Sequence, residues 1–138
     1  MQSSGGATLA ASLGITAGSV VQELGFDDDA AQEIRDAFVE ASGQPIVDED
    51  FGDVVDIALV WFRADDDDLV DLLVDAIAPL GENGAVWLMT PKPGRNGEVA
   101  PADIAEAAPI AGLQVTRSVS ASRDWQGTRL VIPKGNRR

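Results

Sequence analysis

The sequence predicts an α/β protein: a three-layer, Rossmann-like, mostly parallel sheet that ends in a C-terminal antiparallel hairpin. Residues 54–62 and 84–89 form two apolar runs of strand length without alternation, which is typical of parallel strands buried on both faces. Between them, apolar residues recur at helical spacing over 69–80 and predict an amphipathic helix. Two further strand-like runs, 114–119 and 128–132, predict the hairpin.

Shorter patterns predict the N-terminal elements. Residues 1–12 are rich in Ser, Gly and Ala without periodicity, so we expect a disordered leader there. A short strand is predicted within 19–24. The apolar spacing over 26–42 predicts the first helix, with Asp27–Asp29 at its N-terminus and Gly43 at its end.

The remaining elements are short. A strand is predicted at 45–47. Pro101, which is favourable at a first helical position, opens a short helix that ends near Gly112. We therefore expect one α/β domain over 13–134, followed by a basic tail at 135–138.

The aspartate runs raise the question of a metal site. Asp65–Asp68 precede the predicted helix of 69–80, where negative charge is favourable next to the helix dipole. From Asp48 onward the spacing fails the calcium loop of an EF-hand, which needs a glycine and a distal glutamate at fixed positions. We expect no metal, with weak binding by Asp48, Asp50 and Asp53 left open.

Charge is distributed unevenly along the chain. Residues 1–82 carry 19 acidic and two basic side chains, a net charge of −17, whereas residues 83–138 carry four acidic and eight basic ones, a net charge of +4. The acidic part repels phosphate backbones, so nucleic acid is not expected as a partner. It fits an unidentified partner protein with a basic surface, although the same charge also serves solubility alone.

Composition also bears on the compartment. The chain has no cysteine, which fits the reducing cytoplasm, and no apolar block is long enough to span a membrane. The first residues lack the basic and apolar regions of a signal peptide. We expect a cytoplasmic protein, and exposed apolar positions on the terminal hairpin make an edge-to-edge homodimer possible.

The side chains that most often catalyse reactions are missing. The chain has no histidine, cysteine or tyrosine, so it cannot form a Ser-His or Cys-His pair or a His-containing metal site. We expect no catalytic residue and a non-enzymatic protein. Catalysis would have to come from carboxylates, Ser, Thr or Lys92.

Ligands of open α/β sheets bind at the carboxyl ends of the strands, and the first such turn is unusual here. It has one glycine, Gly25, followed by Phe26 and three aspartates, which disfavours a phosphate. This indicates that no cofactor binds in the usual place. Seven residues near strand ends or in the terminal hairpin are candidates for binding a ligand or partner: Glu23, Asp48, Lys92, Arg95, Arg123, Trp125 and Arg129.

Two of these candidates admit alternatives. Trp125 lies in a polar turn between Arg123 and Arg129, so we expect it to be partly exposed, either as a binding anchor or as a cap on the sheet edge. Lys92 follows the apolar run 84–89 and is interpreted as a charged residue at the rim of the site rather than a catalytic one. The other two tryptophans, Trp61 and Trp87, are expected in the core.

Several segments resemble a known family. The blocks W-L-x-T-P-K at 87–92 and D-W-x-G-T-R-L at 124–130, within a similarity that runs from Leu13 to Lys134, are similar to a family of small acidic bacterial proteins, largely from actinobacteria. The family is designated domain of unknown function 3052. The resemblance therefore implies a shared fold and no particular activity.

More distantly, the layout resembles the second half of a class I methyltransferase. The turn Leu80-Gly81-Glu82-Asn83-Gly84 stands where that fold has "L-x-x-G-G". The resemblance implies S-adenosylmethionine as an alternative cofactor, with Asp48 or Glu49 as the acid that holds its ribose. The glycine-rich first turn of that family is missing, so we expect a non-catalytic protein-binding module, with a divergent methyltransferase or other small-ligand protein as the alternative.

Overall fold

A computed structural model describes residues 5–66 and 68–133. The nine elements within these ranges are, in chain order, α1 (Gly5–Ser12), β1 (Val21–Leu24), α2 (Gln32–Ser42), β2 (Val55–Trp61), α3 (Leu69–Ile77), β3 (Leu80–Pro91), α4 (Pro101–Ile110), β4 (Gln114–Ser120) and β5 (Trp125–Val131). The strands form one sheet in the order β1-β2-β3-β5-β4. The first three are parallel, and β5 is antiparallel to both β3 and β4. The predicted fold class is confirmed.

The sheet separates two apolar cores, one on each face. Leu73 of α3 and Ile104 of α4 pack with Leu88 on one face, and Phe38 of α2 packs with Trp61 and Trp87 on the other. Alternate residues of β2 and β3 enter opposite cores, which explains why both runs are apolar without alternation. The two tryptophans are fully buried, as predicted.

The N-terminus differs from the predicted disordered leader, because Gly5–Ser12 forms α1. Leu9 and Leu13 are buried in the core on the α2 side. Two leucines among small residues give little helical periodicity, so packing against α2 and the core on that side, rather than local preference, accounts for the helix. Residues 1–4 of the expected leader lie outside the described residues, as do Lys134 and the predicted basic tail 135–138.

The first predicted helix is shorter at its N-terminus than expected. Asp27–Ala30 form a turn, and α2 begins only at Gln32, after Ala31, which provides no side-chain cap. The aspartates therefore do not cap this helix. Its end is as predicted, because Gly43 adopts a left-handed conformation (φ 79°) and donates its N–H to the Val39 carbonyl at 2.8 Å.

Two other boundaries shift. The strand predicted at 45–47 is reduced to a single parallel bridge between Val47 and Gln22 of β1. Leu80, predicted as the last apolar position of α3, instead begins β3. Among the helices of the described ranges, none combines the length and apolar character that crossing a membrane requires.

Candidate functional site

The carboxyl ends of the three parallel strands lie at one edge of the sheet, and the turn after β1 packs directly against the end of β2. Gly25 has φ 77°, and a Cβ atom there would lie 2.3 Å from the Trp61 carbonyl oxygen. Only glycine is compatible with this approach. The turn after β1 is therefore packed against the end of β2.

Arg63, just after β2, holds this turn in place. Its Nη1 donates to the Gly25 carbonyl at 2.8 Å, and its Nε and Nη2 donate to the Asp29 carboxylate, the former at 3.1 Å. Asp66 forms a further ion pair at 3.5 Å and accepts from the Arg63 backbone N–H at 2.9 Å. The Arg63 side chain is only 11% exposed. The hydrogen bonds from Arg63 hold the pKa of Asp29 below its ordinary value, against the partial burial that would raise it.

Glu23, near the end of β1, has a second set of contacts. Its carboxylate accepts two hydrogen bonds from Arg35, both 2.9 Å, and a third from the Trp61 indole at 2.8 Å. The residue is 8% exposed. Arg35 also stacks 4.6 Å from the centroid of Phe26. Glu23, one of the predicted binding residues, therefore forms its hydrogen bonds within the protein.

Trp125 is buried, contrary to the expectation that it is partly exposed. It is the first residue of β5 rather than part of the preceding turn, and it is 4% exposed. Its ring meets Trp61 edge-on with centroids 4.9 Å apart, and the Arg63 guanidinium lies 5.4 Å from its centroid. The strand begins three residues earlier than predicted, because Trp125 follows polar residues that are typical of a turn.

The remaining candidates are spread over the edge and the hairpin. Asp48 is exposed after the Val47 bridge, and its side chain accepts the backbone N–H of Asp50 at 3.0 Å. Arg123 is exposed in the hairpin turn. Arg129 of β5 donates to Thr116 Oγ1 at 3.3 Å.

Lys92 and Arg95 lie together after β3, beside the hairpin turn. Lys92 Nζ donates to Ser120 Oγ, and its backbone N–H donates to the Asp124 carbonyl at 2.9 Å. Arg95 Nε forms an exposed ion pair with the Asp124 carboxylate at 2.6 Å. The structure therefore brings Glu23 and Trp125 together through Trp61, and separately groups Lys92 and Arg95 with the hairpin.

Arg35, Arg63 and Asp29 are not among the site residues predicted from the sequence. The relevant signal was present: Arg35 and Arg63 are the only basic residues among the first 82, in a segment with 19 acidic ones. A rare opposite charge in such a segment is a strong candidate for an internal ion pair. Which acid each arginine meets was not predictable locally, because Asp29 and Arg63 lie 34 positions apart.

Beside these ion pairs lies a cleft of about 440 Å³, which we call the acidic cleft. Phe26, 53% exposed, and Leu72 contribute apolar surface, and Arg63 is the one cation among its lining residues. Its lining also includes five exposed aspartates: Asp27, Asp66, Asp68, Asp71 and Asp75.

Asp68 of the acidic cleft has a further structural role. Its side chain accepts the backbone N–H groups of Val70 at 2.8 Å and Asp71 at 3.3 Å, which caps α3. This confirms the placement of the acidic run at a helix N-terminus, with Asp67 outside the described residues.

The fold is similar to that of solved methyltransferases. A SAM-dependent methyltransferase from Aquifex aeolicus superposes with a TM-score of 0.62 at 11% identity, covering 93% of this chain and 89% of that one. The CcbJ methyltransferase from Streptomyces caelestis superposes with a TM-score of 0.60, also at 11% identity and with the same coverage. Identities this low establish the shared fold alone.

The sequence places the chain more narrowly. Residues 10–134 match the model of the family described as "Protein of unknown function (DUF3052)", and the chain belongs to this family. Uncharacterized proteins from Mycobacterium tuberculosis H37Rv and Mycobacterium bovis are each 51% identical to it over 122 residues, covering 88% of this chain and 77% of each relative. The resemblance drawn from the two tryptophan-containing blocks is confirmed.

Proposed function

We propose that this protein is a non-catalytic module with a methyltransferase-like fold that binds a basic partner protein through the acidic cleft. The observation that carries the proposal is the set of contacts within the protein at the carboxyl ends of β1 and β2. Glu23 is committed to Arg35 and Trp61, and Arg63 is committed to Asp29 and the Gly25 carbonyl. These groups form their hydrogen bonds within the protein rather than with a cofactor.

The acidic cleft supplies what a protein interface needs. Phe26 offers exposed aromatic surface, and aromatic anchors contribute much of the energy of protein interfaces. The aspartates around it repel acidic partners and favour Lys- or Arg-rich surfaces, which sets specificity and speeds association. Because the charges lie at the surface, the interaction should be sensitive to salt.

The experiment is capture of partners from native extract on the immobilised chain, followed by mass spectrometry. The cleft variant replaces Asp27, Asp71 and Asp75 by Asn. The matched control changes Glu33→Gln, Asp36→Asn and Glu40→Gln, which alters the net charge equally but on exposed positions of α2.

We expect one stoichiometric partner that the wild type and the α2 variant retain and the cleft variant loses. Raising the ionic strength from about 0.1 M to about 1 M, which shortens the Debye length from about 10 Å to about 3 Å, should also release it. Equal loss with both variants would contradict the cleft as the docking site. Recovery of no stoichiometric partner at low salt would contradict the protein-binding function.

A second candidate, a small-ligand protein that binds S-adenosylmethionine, is favoured by the fold and by the position of the cleft at the carboxyl ends of β1 and β2. Asp48, just after the bridge at Val47, is the acid available for a ribose. The contact between Gly25 and the Trp61 carbonyl does not fit a cofactor lying over that turn. The protein-binding function is therefore the better supported of the two.

A further inference from the structure

β4 forms an open edge of the sheet, at the end away from the acidic cleft. It pairs with β5 on one side, and no strand within residues 5–66 and 68–133 pairs with the other. Six of its seven residues are exposed and the seventh is half-buried. An edge of this kind can accept an extended peptide as an added strand.

The hydrogen-bond pattern shows which backbone groups of β4 are available. Ala121 donates its N–H to the Trp125 carbonyl at 3.0 Å, so the two residues face each other as a hydrogen-bonded pair. Such pairs alternate along an antiparallel ladder. The backbone N–H groups of Ser118 and Ser120 are consequently directed away from β5, toward the outer side of the edge.

An apolar groove of about 420 Å³ lies beside this edge, between α4 and the sheet. Val115 and Ser118 of β4 belong to its lining. A strand added beside β4 places alternate side chains on the α4 side, next to these two residues and the groove mouth. The apolar part of the lining comes from Pro93, Val99, Pro101, Ile104, Ala105 and Val115.

The charges on β4 and β5 favour an acidic occupant. β4 contains no carboxylate, Arg117 lies on it, Arg129 lies on neighbouring β5, and Lys92 reaches Ser120 at its end. In the part of the chain that the structure describes, none of these three cations forms a salt bridge, although Arg117 donates to the Ser12 carbonyl and lies over the Trp87 ring. A second copy of β4 would add another arginine to this surface, whereas a peptide with carboxylates would neutralise it.

We propose that the β4 edge binds an acidic, extended peptide segment of a partner protein as a sixth strand. Main-chain hydrogen bonds to Ser118 and Ser120 provide affinity, and an apolar side chain enters the groove. Carboxylates on the peptide pair with Lys92 and Arg129. Arg117, which is held by its contacts within the protein, adds positive charge to the edge. This surface is separate from the acidic cleft and selects a partner of opposite charge.

The test uses the full chain and a display library of random peptides about ten residues long, enough to match a typical strand. Selected peptides should be rich in Asp and Glu, with apolar residues at alternate positions. The tightest binder is then synthesised with a fluorophore, and its affinity is measured by anisotropy. Ser118→Pro removes one outward N–H and should weaken binding about tenfold, while Ser118→Ala keeps that N–H and should bind like the wild type.

A peptide N-methylated at alternate residues should also lose binding, and this comparison holds even if the proline variant does not fold. The proposal is overturned if no peptide is selected, if the selected peptides lack acidic residues, or if N-methylation leaves the affinity unchanged. A dimer seen by sedimentation that Ser118→Pro dissociates would assign the edge to a second copy and would likewise overturn it.

Discussion

Arg63 joins three parts of the site through contacts of a single side chain. It binds the Gly25 carbonyl of the first turn, the Asp29 carboxylate before α2, and lies over the ring of Trp125 from β5. The side chain is largely buried, so these contacts replace water that it would otherwise hold. Arg95 forms a comparable ion pair with Asp124 but remains exposed, which makes it a natural reference.

Replacing Arg63 by Ala should lower the free energy of unfolding by about 2 kcal/mol, because a shielded charge-assisted network is lost together with its packing. Arg95→Ala should cost less than about 1 kcal/mol, since its ion pair is exposed. Urea unfolding followed by tryptophan fluorescence measures both. Equal effects of the two variants would contradict the structural role assigned to Arg63.

The contact between Arg63 and the Asp29 carboxylate should make the free energy of unfolding depend on pH. The hydrogen bonds from Arg63 lower the pKa of Asp29 in the folded protein. The ionised carboxylate therefore stabilises the folded protein above the pKa of an unfolded aspartate, about 3.9. This stabilisation is lost as the pH falls through the lower pKa of the folded state. The difference in unfolding free energy between wild type and Asp29→Asn should therefore shrink below about pH 4. Urea unfolding of both proteins at pH 7 and pH 3 measures it, and a difference that grows on acidification would contradict the pairing.

Among the elements, the turn between β1 and α2 determines how the sheet edge is closed. Gly25 is the point of closest approach to β2, and the segment from Asp27 to Ala30 makes a turn that places Asp29 against Arg63. The delayed start of α2 at Gln32 follows from this, since a helix from residue 26 would withdraw Asp29 from its partner.

Gly25→Ala should lower the free energy of unfolding by about 3 kcal/mol or more, because the methyl group meets the Trp61 carbonyl in addition to the strain of positive φ. Gly43→Ala is the matched control: its φ is also positive, but nothing lies within 4 Å of the new Cβ, so it should cost only about 1 kcal/mol. Thermal and urea unfolding distinguish them. Similar costs at both positions would mean that the turn is not packed against β2.

Elements with strong local patterns were predictable from the sequence. The apolar runs of β2 and β3 and the spacing of α3 indicate burial directly, since residues 57–61 and 84–91 of these central strands are buried on both faces of the sheet. α1 was not predicted, because its small residues give the sequence no helical apolar periodicity. The start of β5 was missed because Trp125 follows polar residues typical of a turn.

The site was less predictable than the fold. Glu23 was selected from its position at the end of a strand, but its partner Trp61 lies 38 positions away, and no local pattern reports such a contact. Arg63 and Asp29 were overlooked for the same reason. Pairings of this kind depend on sheet order, which becomes known only with the tertiary structure.

At the scale of the whole molecule, the charge asymmetry of the sequence becomes an asymmetry in space. The acidic part of the chain builds β1, β2, α2 and α3, while the part with excess basic residues supplies most of β3 and all of α4, β4 and β5. Because the sheet order is β1-β2-β3-β5-β4, acidic and basic ends lie at opposite edges. The two partners proposed above, which differ in charge, would therefore not compete for one surface.

The same asymmetry predicts weak interaction with nucleic acid. The net charge of −13 opposes the phosphate backbone, and the cations of the hairpin are too few to offset it. Duplex DNA and single-stranded RNA should show no retardation in gel-shift assays at about 0.15 M salt, where the Debye length is about 8 Å. A shift that weakens steeply with added salt would contradict this expectation.

The most direct test of the proposed function is calorimetric titration of the full chain with S-adenosylmethionine. The Gly25 turn is packed against β2, and Glu23 is held by Arg35 and Trp61. We therefore expect no saturable heat at S-adenosylmethionine concentrations up to about 1 mM. A dissociation constant above this concentration corresponds to a binding free energy weaker than about −4 kcal/mol. Saturable binding with a Kd of about 1 μM, equivalent to about −8 kcal/mol, would contradict the closed edge and make the protein a cofactor-binding methyltransferase-like one.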